Sequence, residues 1–234
     1  MNNYGSIRII GESSISKGAY DKITIIGEAK SSGKVECNSL NVLGTLDLED
    51  EFKACDMKIV GEVTASCKVE STGKVKLLGE LVGDDDFIIN TVNIIGQGIF
   101  KKNLTFNNID LLGELTVSGN CEGNIFYSKG KASIDGLLSA DKIEINPKDS
   151  SFINEIGGSE IIIRNTGWNV FSNGKVISNT IEGDKIILEQ THCKIIRGHD
   201  IKILRDCNID RIEYTGTITV DERSSVGEVI CMKN

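Results

Sequence analysis

A pentad that returns at near-constant spacing constrains this chain more than any other feature. An aliphatic–polar–aliphatic–aliphatic–Gly unit occurs as Ile7-Arg8-Ile9-Ile10-Gly11, Ile23-Thr24-Ile25-Ile26-Gly27, Leu40-Asn41-Val42-Leu43-Gly44 and Met57-Lys58-Ile59-Val60-Gly61. It continues as Val75-Lys76-Leu77-Leu78-Gly79, Val92-Asn93-Ile94-Ile95-Gly96 and Ile109-Asp110-Leu111-Leu112-Gly113. The glycines step by 16, 17, 17, 18, 17 and 17 residues. Self-similarity of this kind sets the architecture before local propensity does, because a repeat buries its apolar face only by stacking on its neighbours.

Counting from each glycine exposes further apolar columns. Eight residues on stand Ala19, Val35, Phe52, Val69, Phe87, Leu104 and Cys121; two residues on stand Ser13, Ala29, Leu46, Val63, Leu81, Gly98 and Leu115. Each column has a partner two residues away, the period of a strand with one buried face. The pairs fall at −4/−2, +2/+4 and +8/+10 from the glycine. That gives three short strands per turn of ~17 residues, a triangular parallel β-solenoid over residues 5–127. Helical repeats need about 33 residues and leucine-rich repeats 20–29, so both are excluded. The glycine marks a corner, where its missing Cβ relieves either a positive φ or close stacking.

After Asn124 the register loosens. Apolar doublets persist at Ile143/Ile145, Ile161/Ile163, Ile186/Leu188, Ile201/Ile203 and Ile218/Val220, stepping by 18, 25, 15 and 17 residues. The step of 25 contains Asn165-Thr166-Gly167-Trp168-Asn169, which reads as a loop bulging from one turn. The single proline, Pro147, marks another loop. The chain therefore divides into a regular solenoid, residues 1–130, and a less regular continuation of it, residues 131–234. A separate second domain is the alternative, though no linker composition marks a boundary.

A net charge of −8 without a Lys/Arg cluster argues against nucleic acid as a partner. No apolar run approaches the length of a transmembrane helix, and the N-terminus lacks the pattern of a secretory signal. The seven cysteines include no C-x-x-C pair, which fits reduced thiols in a cytoplasm better than a disulfide framework.

Candidate chemistry is sparse. His192, Cys193, His199 and Cys207 could be drawn as a zinc site, but their spacing matches no usual ligand pattern. The simpler expectation buries both cysteines in the solenoid and leaves the histidines at corners. Asp84-Asp85-Asp86 suggests calcium or paired catalytic carboxylates, as in pectin-degrading β-helices. One turn later stands Lys101-Lys102-Asn103, so a salt-bridged, solvated corner is the expectation. Trp168 is a binding platform or wall packing, with packing preferred. No catalytic, cofactor-binding or metal-ligating residue is assigned, and no cofactor is expected.

The pentad, the 17-residue step and the corners Gly61-Glu62-Val63, Gly79-Glu80-Leu81 and Gly113-Glu114-Leu115 resemble the bactofilins, bacterial polymer-forming cytoskeletal proteins. The resemblance is clearest over residues 7–123. It implies a right-handed parallel β-helix, nucleotide-free filaments built end to end, and a scaffolding role in the cytoplasm. The chain departs from typical members in lacking Pro-rich tails and the short apolar membrane anchor that some members carry.

A solenoid end exposes strand edges and apolar columns unless a cap covers them. The expectation is a homo-oligomer or filament joined through Ile7, Ile9 and Ile10 at one end and Val226, Val229 and Ile230 at the other, with protein partners also possible. The apolar residue before each glycine points outward if strand alternation continues, and inward if the chain has already turned. Two rivals to the scaffold are a β-helical enzyme, either a hexapeptide-type acyltransferase or carbohydrate-active, and a monomeric adaptor. The acyltransferase needs a general base, usually histidine, and the regular half contains none.

Overall fold

Period-two apolar alternation and a wealth of Ile, Val and Leu leave these segments one way to bury their side chains, as stacked strands. A computed structural model describes residues 4–165 and 174–232, and its described residues are all strand, bend and loop, without a helix. The chain forms two compact units, Met1–Gly119 and Asn120–Asn234, and each is a parallel β-solenoid.

Unit 1 holds β1 (Ile7–Val42), β2 (Thr45–Leu48), β3 (Phe52–Ile59), β4 (Glu62–Ala65) and β5 (Val69–Leu77). It continues with β6 (Glu80–Gly83), β7 (Phe87–Ile94), β8 (Gln97–Phe100), β9 (Leu104–Leu111) and β10 (Glu114–Val117). Equivalent residues of successive turns pair in register, as in Val35↔Phe52, Phe52↔Val69, Val69↔Phe87 and Phe87↔Leu104. Around the glycines from Gly27 to Gly96 all three inward pairs expected from the sequence are buried, Phe52 and Phe87 completely. Where the aromatic rings need room the facing positions shrink: Gly83 lies under the Phe87 ring and Gly98 beside that of Phe100. Phe87 and Phe100 meet edge to face at 4.9 Å.

The repeat glycines form a ladder at one corner. A Cβ at Gly44, Gly61, Gly79, Gly96 or Gly113 would run into the carbonyl oxygen of the glycine one turn before. Those oxygens accept hydrogen bonds from the next turn, Glu62 N to Gly44 O at 2.8 Å and Gln97 N to Gly79 O at 2.9 Å. Close stacking therefore requires glycine here; positive φ adds to the requirement at Gly11 (92°) and Gly27 (136°). The one step of 18 residues, Gly61 to Gly79, is absorbed by a bulge, since pairing shifts between Ala54↔Ser71 and Met57↔Val75. The Asp56 carboxylate accepts from Lys74 N across that bulge at 2.8 Å.

Unit 2 holds β11 (Cys121–Ser128), β12 (Lys131–Ile145), β13 (Ser151–Ile163) and β14 (Val176–Leu188). It ends with β15 (Thr191–Ile203), β16 (Asn208–Tyr214), β17 (Ile218–Val220) and β18 (Ser225–Cys231). The irregular doublets stack as the sequence anticipates, Ile143↔Ile161↔Ile186↔Ile201↔Ile218, despite their unequal steps. The step of 15 is made by a two-residue corner, Glu189-Gln190, with Gln190 at φ 50°. Trp168 lies outside the described residues.

Candidate interaction surfaces

Alternation carries through to the residue before each repeat glycine, so it faces out. Ile10, Leu43, Val60, Leu78, Ile95 and Leu112 are 39–71 % exposed, and Ile26 is half-buried. The outward reading of the two left open by the sequence is the correct one, and it lays an aliphatic stripe along the glycine corner of unit 1. Ile10 belongs to this sideways stripe. Of its neighbours Ile9 is buried and Ile7 half-buried.

In the last turn of unit 2 the apolar columns emerge into solvent. Val220 continues the column of buried Ile203, and Val229 that of buried Ile212, yet they are 43 % and 48 % exposed. Val226 continues the column of Ile209 and is half-buried. Ile230 pairs with Glu213 in an outward column, so its side chain belongs to the wall and not to the end.

The acidic triplet is a neutralised corner. Lys101 reaches Asp84 at 2.7 Å and Lys102 reaches Asp85 at 2.6 Å, while Asn103 donates to Asp86 from both its backbone and side-chain nitrogens at 3.1 Å. Lys102, with a further bond from the Asp86 amide, holds the Asp85 carboxyl below its ordinary value. Holding Asp85 ionised is the opposite of what a general acid needs.

Cys193 and Cys207 are buried in inward columns, whereas His199 is exposed and bonded through Nδ1 to Thr215 Oγ1 at 2.9 Å. The four residues do not converge, and no group of three potential ligands assembles among the described residues. Burial pushes the Cys37 and Cys193 thiols up to about 12, and those of Cys67 and Cys207 to about 11, so these sulfurs are poor nucleophiles. Cys55, beside the column that Ala54 fills, is exposed.

Two features escaped the sequence reading. A second glycine ladder, Gly158↔Gly183↔Gly198, runs along one wall of unit 2. It floors a groove of about 780 Å³ rimmed by Glu155, Glu182, Asp184, Arg197, His199 and Glu213. Its sequence signal is the Ile-x-Gly-x-x-Ile-x-Ile/Leu pattern at 156–163, 181–188 and 196–203. The other feature is Glu189, a buried carboxylate that accepts from Asn165 N at 2.9 Å and pairs with Arg205 Nε at 2.6 Å. It fastens the start of the insertion that lengthens this turn.

Comparison with known proteins adds two partial likenesses. The uncharacterized protein YhbF of Bacillus subtilis (strain 168) is 35% identical over 95 residues, 40% of each chain. The uncharacterized protein YhbE of the same organism is 33% identical over 99 residues, 40% of this chain and 42% of that one. The chain thus spans about two fifths of the length of these curated relatives. No protein-family model and no solved structure matches the chain.

Proposed function

We propose that this chain is a non-catalytic, bactofilin-like scaffold whose copies join through the end of the solenoid. The observation that carries the reading is the last turn of unit 2, where Val220 and Val229 extend buried columns into solvent. Apolar columns exposed at a strand edge are covered most simply by another strand bearing the same columns. Like ends meeting would bury these valines without a nucleotide or a cofactor. Support for the absence of catalysis comes from the walls: the carboxylates of the acidic corner are neutralised in ladders, and five of the seven thiols are buried. In this reading the protein works in the cytoplasm, where its unpaired cysteines would stay reduced. Among the described residues no helix is long and apolar enough to cross a membrane.

Electron microscopy with light scattering on the purified protein tests the joint. Wild type should form end-joined rods whose share rises with concentration, and Val220→Asp with Val229→Asp should abolish that end-to-end joining with circular dichroism unchanged. Assembly unaffected by the two aspartates would refute the joint. A second reading, an adaptor, draws support from the unit 2 groove, whose rim carries four carboxylates. Wild-type protein that never assembles but captures a partner at that rim would favour it.

A further inference from the structure

The aliphatic stripe of unit 1 is flanked by two columns of opposite character. Three residues before the glycines stand Arg8, Thr24, Asn41, Lys58, Lys76, Asn93 and Asp110; one residue after them stand Glu12, Glu28, Thr45, Glu62, Glu80, Gln97 and Glu114. One rail carries three cations and the other five glutamates. Elsewhere on this unit charges are laddered into ion pairs between turns, as Lys30–Glu49 at 2.6 Å and Lys53–Glu70 at 2.9 Å. Arg8, Lys58, Lys76 and the five glutamates of the rails have no ion-pair or side-chain hydrogen-bond partner within the chain among the described residues. An apolar stripe with unpaired charges on both sides is surface that the monomer leaves unsatisfied.

We infer that this face docks a second copy of the chain, the two unit 1 solenoids lying side by side with parallel axes about a two-fold running along them. The charges choose this arrangement. A two-fold parallel to the solenoid axis exchanges left and right while keeping each turn level with its own copy, so the cationic rail of one molecule faces the glutamate rail of the other. A two-fold across the axis would lay cation on cation and glutamate on glutamate. The match holds in most turns: Arg8 meets Glu12, Lys58 meets Glu62 and Lys76 meets Glu80, the uncharged Asn41 and Asn93 meet Thr45 and Gln97, and Thr24 brings no charge to Glu28. The last turn is the exception, bringing Asp110 to Glu114, so Asp110→Lys should tighten the pair. Seven turns at the ~4.8 Å strand spacing make a contact about 30 Å long, at the small end of stable interfaces, so pairing depends on concentration. This lateral contact uses a different surface from the end-on joint and does not rest on it.

The test is sedimentation in a Val229→Asp background, which removes the end-on joint if that exists and changes nothing here if it does not. Lys58→Glu with Lys76→Glu sets like acidic charges against each other in the two central charged turns; Glu62→Lys with Glu80→Lys sets like basic charges there. Each variant alone should pair about tenfold more weakly or worse, and the two mixed should pair with each other. Orientation is read separately by disulfide capture with Cys55 and Cys231 replaced by serine. The parallel two-fold sets Leu78 against itself, so Leu78→Cys should cross-link alone; an antiparallel pair would set it against Leu43. Parent protein that stays monomeric at its highest attainable concentration, mixed variants no better than either alone, or Leu78→Cys that links only to Leu43→Cys would each overturn the inference.

Discussion

Gly61 has a backbone oxygen where its Cβ would be, whereas nothing lies within 4 Å of the same position at Gly5. Gly61→Ala should therefore cost about 1–3 kcal/mol in urea melts, and Gly5→Ala almost nothing. Phe52 and Phe87 fill the centre of unit 1, and truncating either to Ala should cost about 3–5 kcal/mol, with Phe87 the worse because Phe100 loses its ring partner. Those burials were legible because a column needs only counting. Titration gives a third test. Lys53, then Lys68, hold the Glu70 carboxyl at about 2 against an ordinary 4.5, so its stabilisation is present above that ordinary value and lost as pH falls from there toward 2. The buried thiols act oppositely: unfolded they ionise near 9.0 while folded Cys37 and Cys193 hold their protons to about 12, so stability falls as pH rises between these values. Urea midpoints should be flat through neutrality and decline on both sides. Brief alkylation of the native protein should mark Cys55 and Cys231 before any other cysteine.

At the scale of the element, most of the solenoid was legible because strand pairing repeats the sequence period. The 17-residue step is the register itself, and even the steps of 18, 25 and 15 could be aligned on their isoleucine doublets. What hid was anything defined across turns by polar atoms. Glu189 reads as an ordinary solvated corner, and only the fold brings Asn165 N and Arg205 to its two oxygens. Glu189→Ala should cost about 1–3 kcal/mol by stranding both donors, with protease cleavage near Asn165 accelerated; an unchanged cleavage rate would deny it the anchoring role. The aliphatic stripe was half legible. Its residues stood out in the pentad, but their direction depended on whether the chain bends before or after them.

At the scale of the whole molecule, unit 1 carries its unsatisfied surface on its flank and unit 2 carries it on the last turn. Both are apolar, and the proposed homotypic contacts would cover both. Of the end residues the sequence suggested, Val226 is half-buried and Val229 exposed in the last turn, while Ile7 is half-buried and Ile9 buried in the first. The most direct test of a self-assembling scaffold is sedimentation velocity of the wild-type chain over a wide concentration series. The weight-average sedimentation coefficient should climb continuously with concentration and fall back when salt screens the rails and Val229→Asp blocks the joint. A single boundary of monomer mass at every concentration would contradict the account.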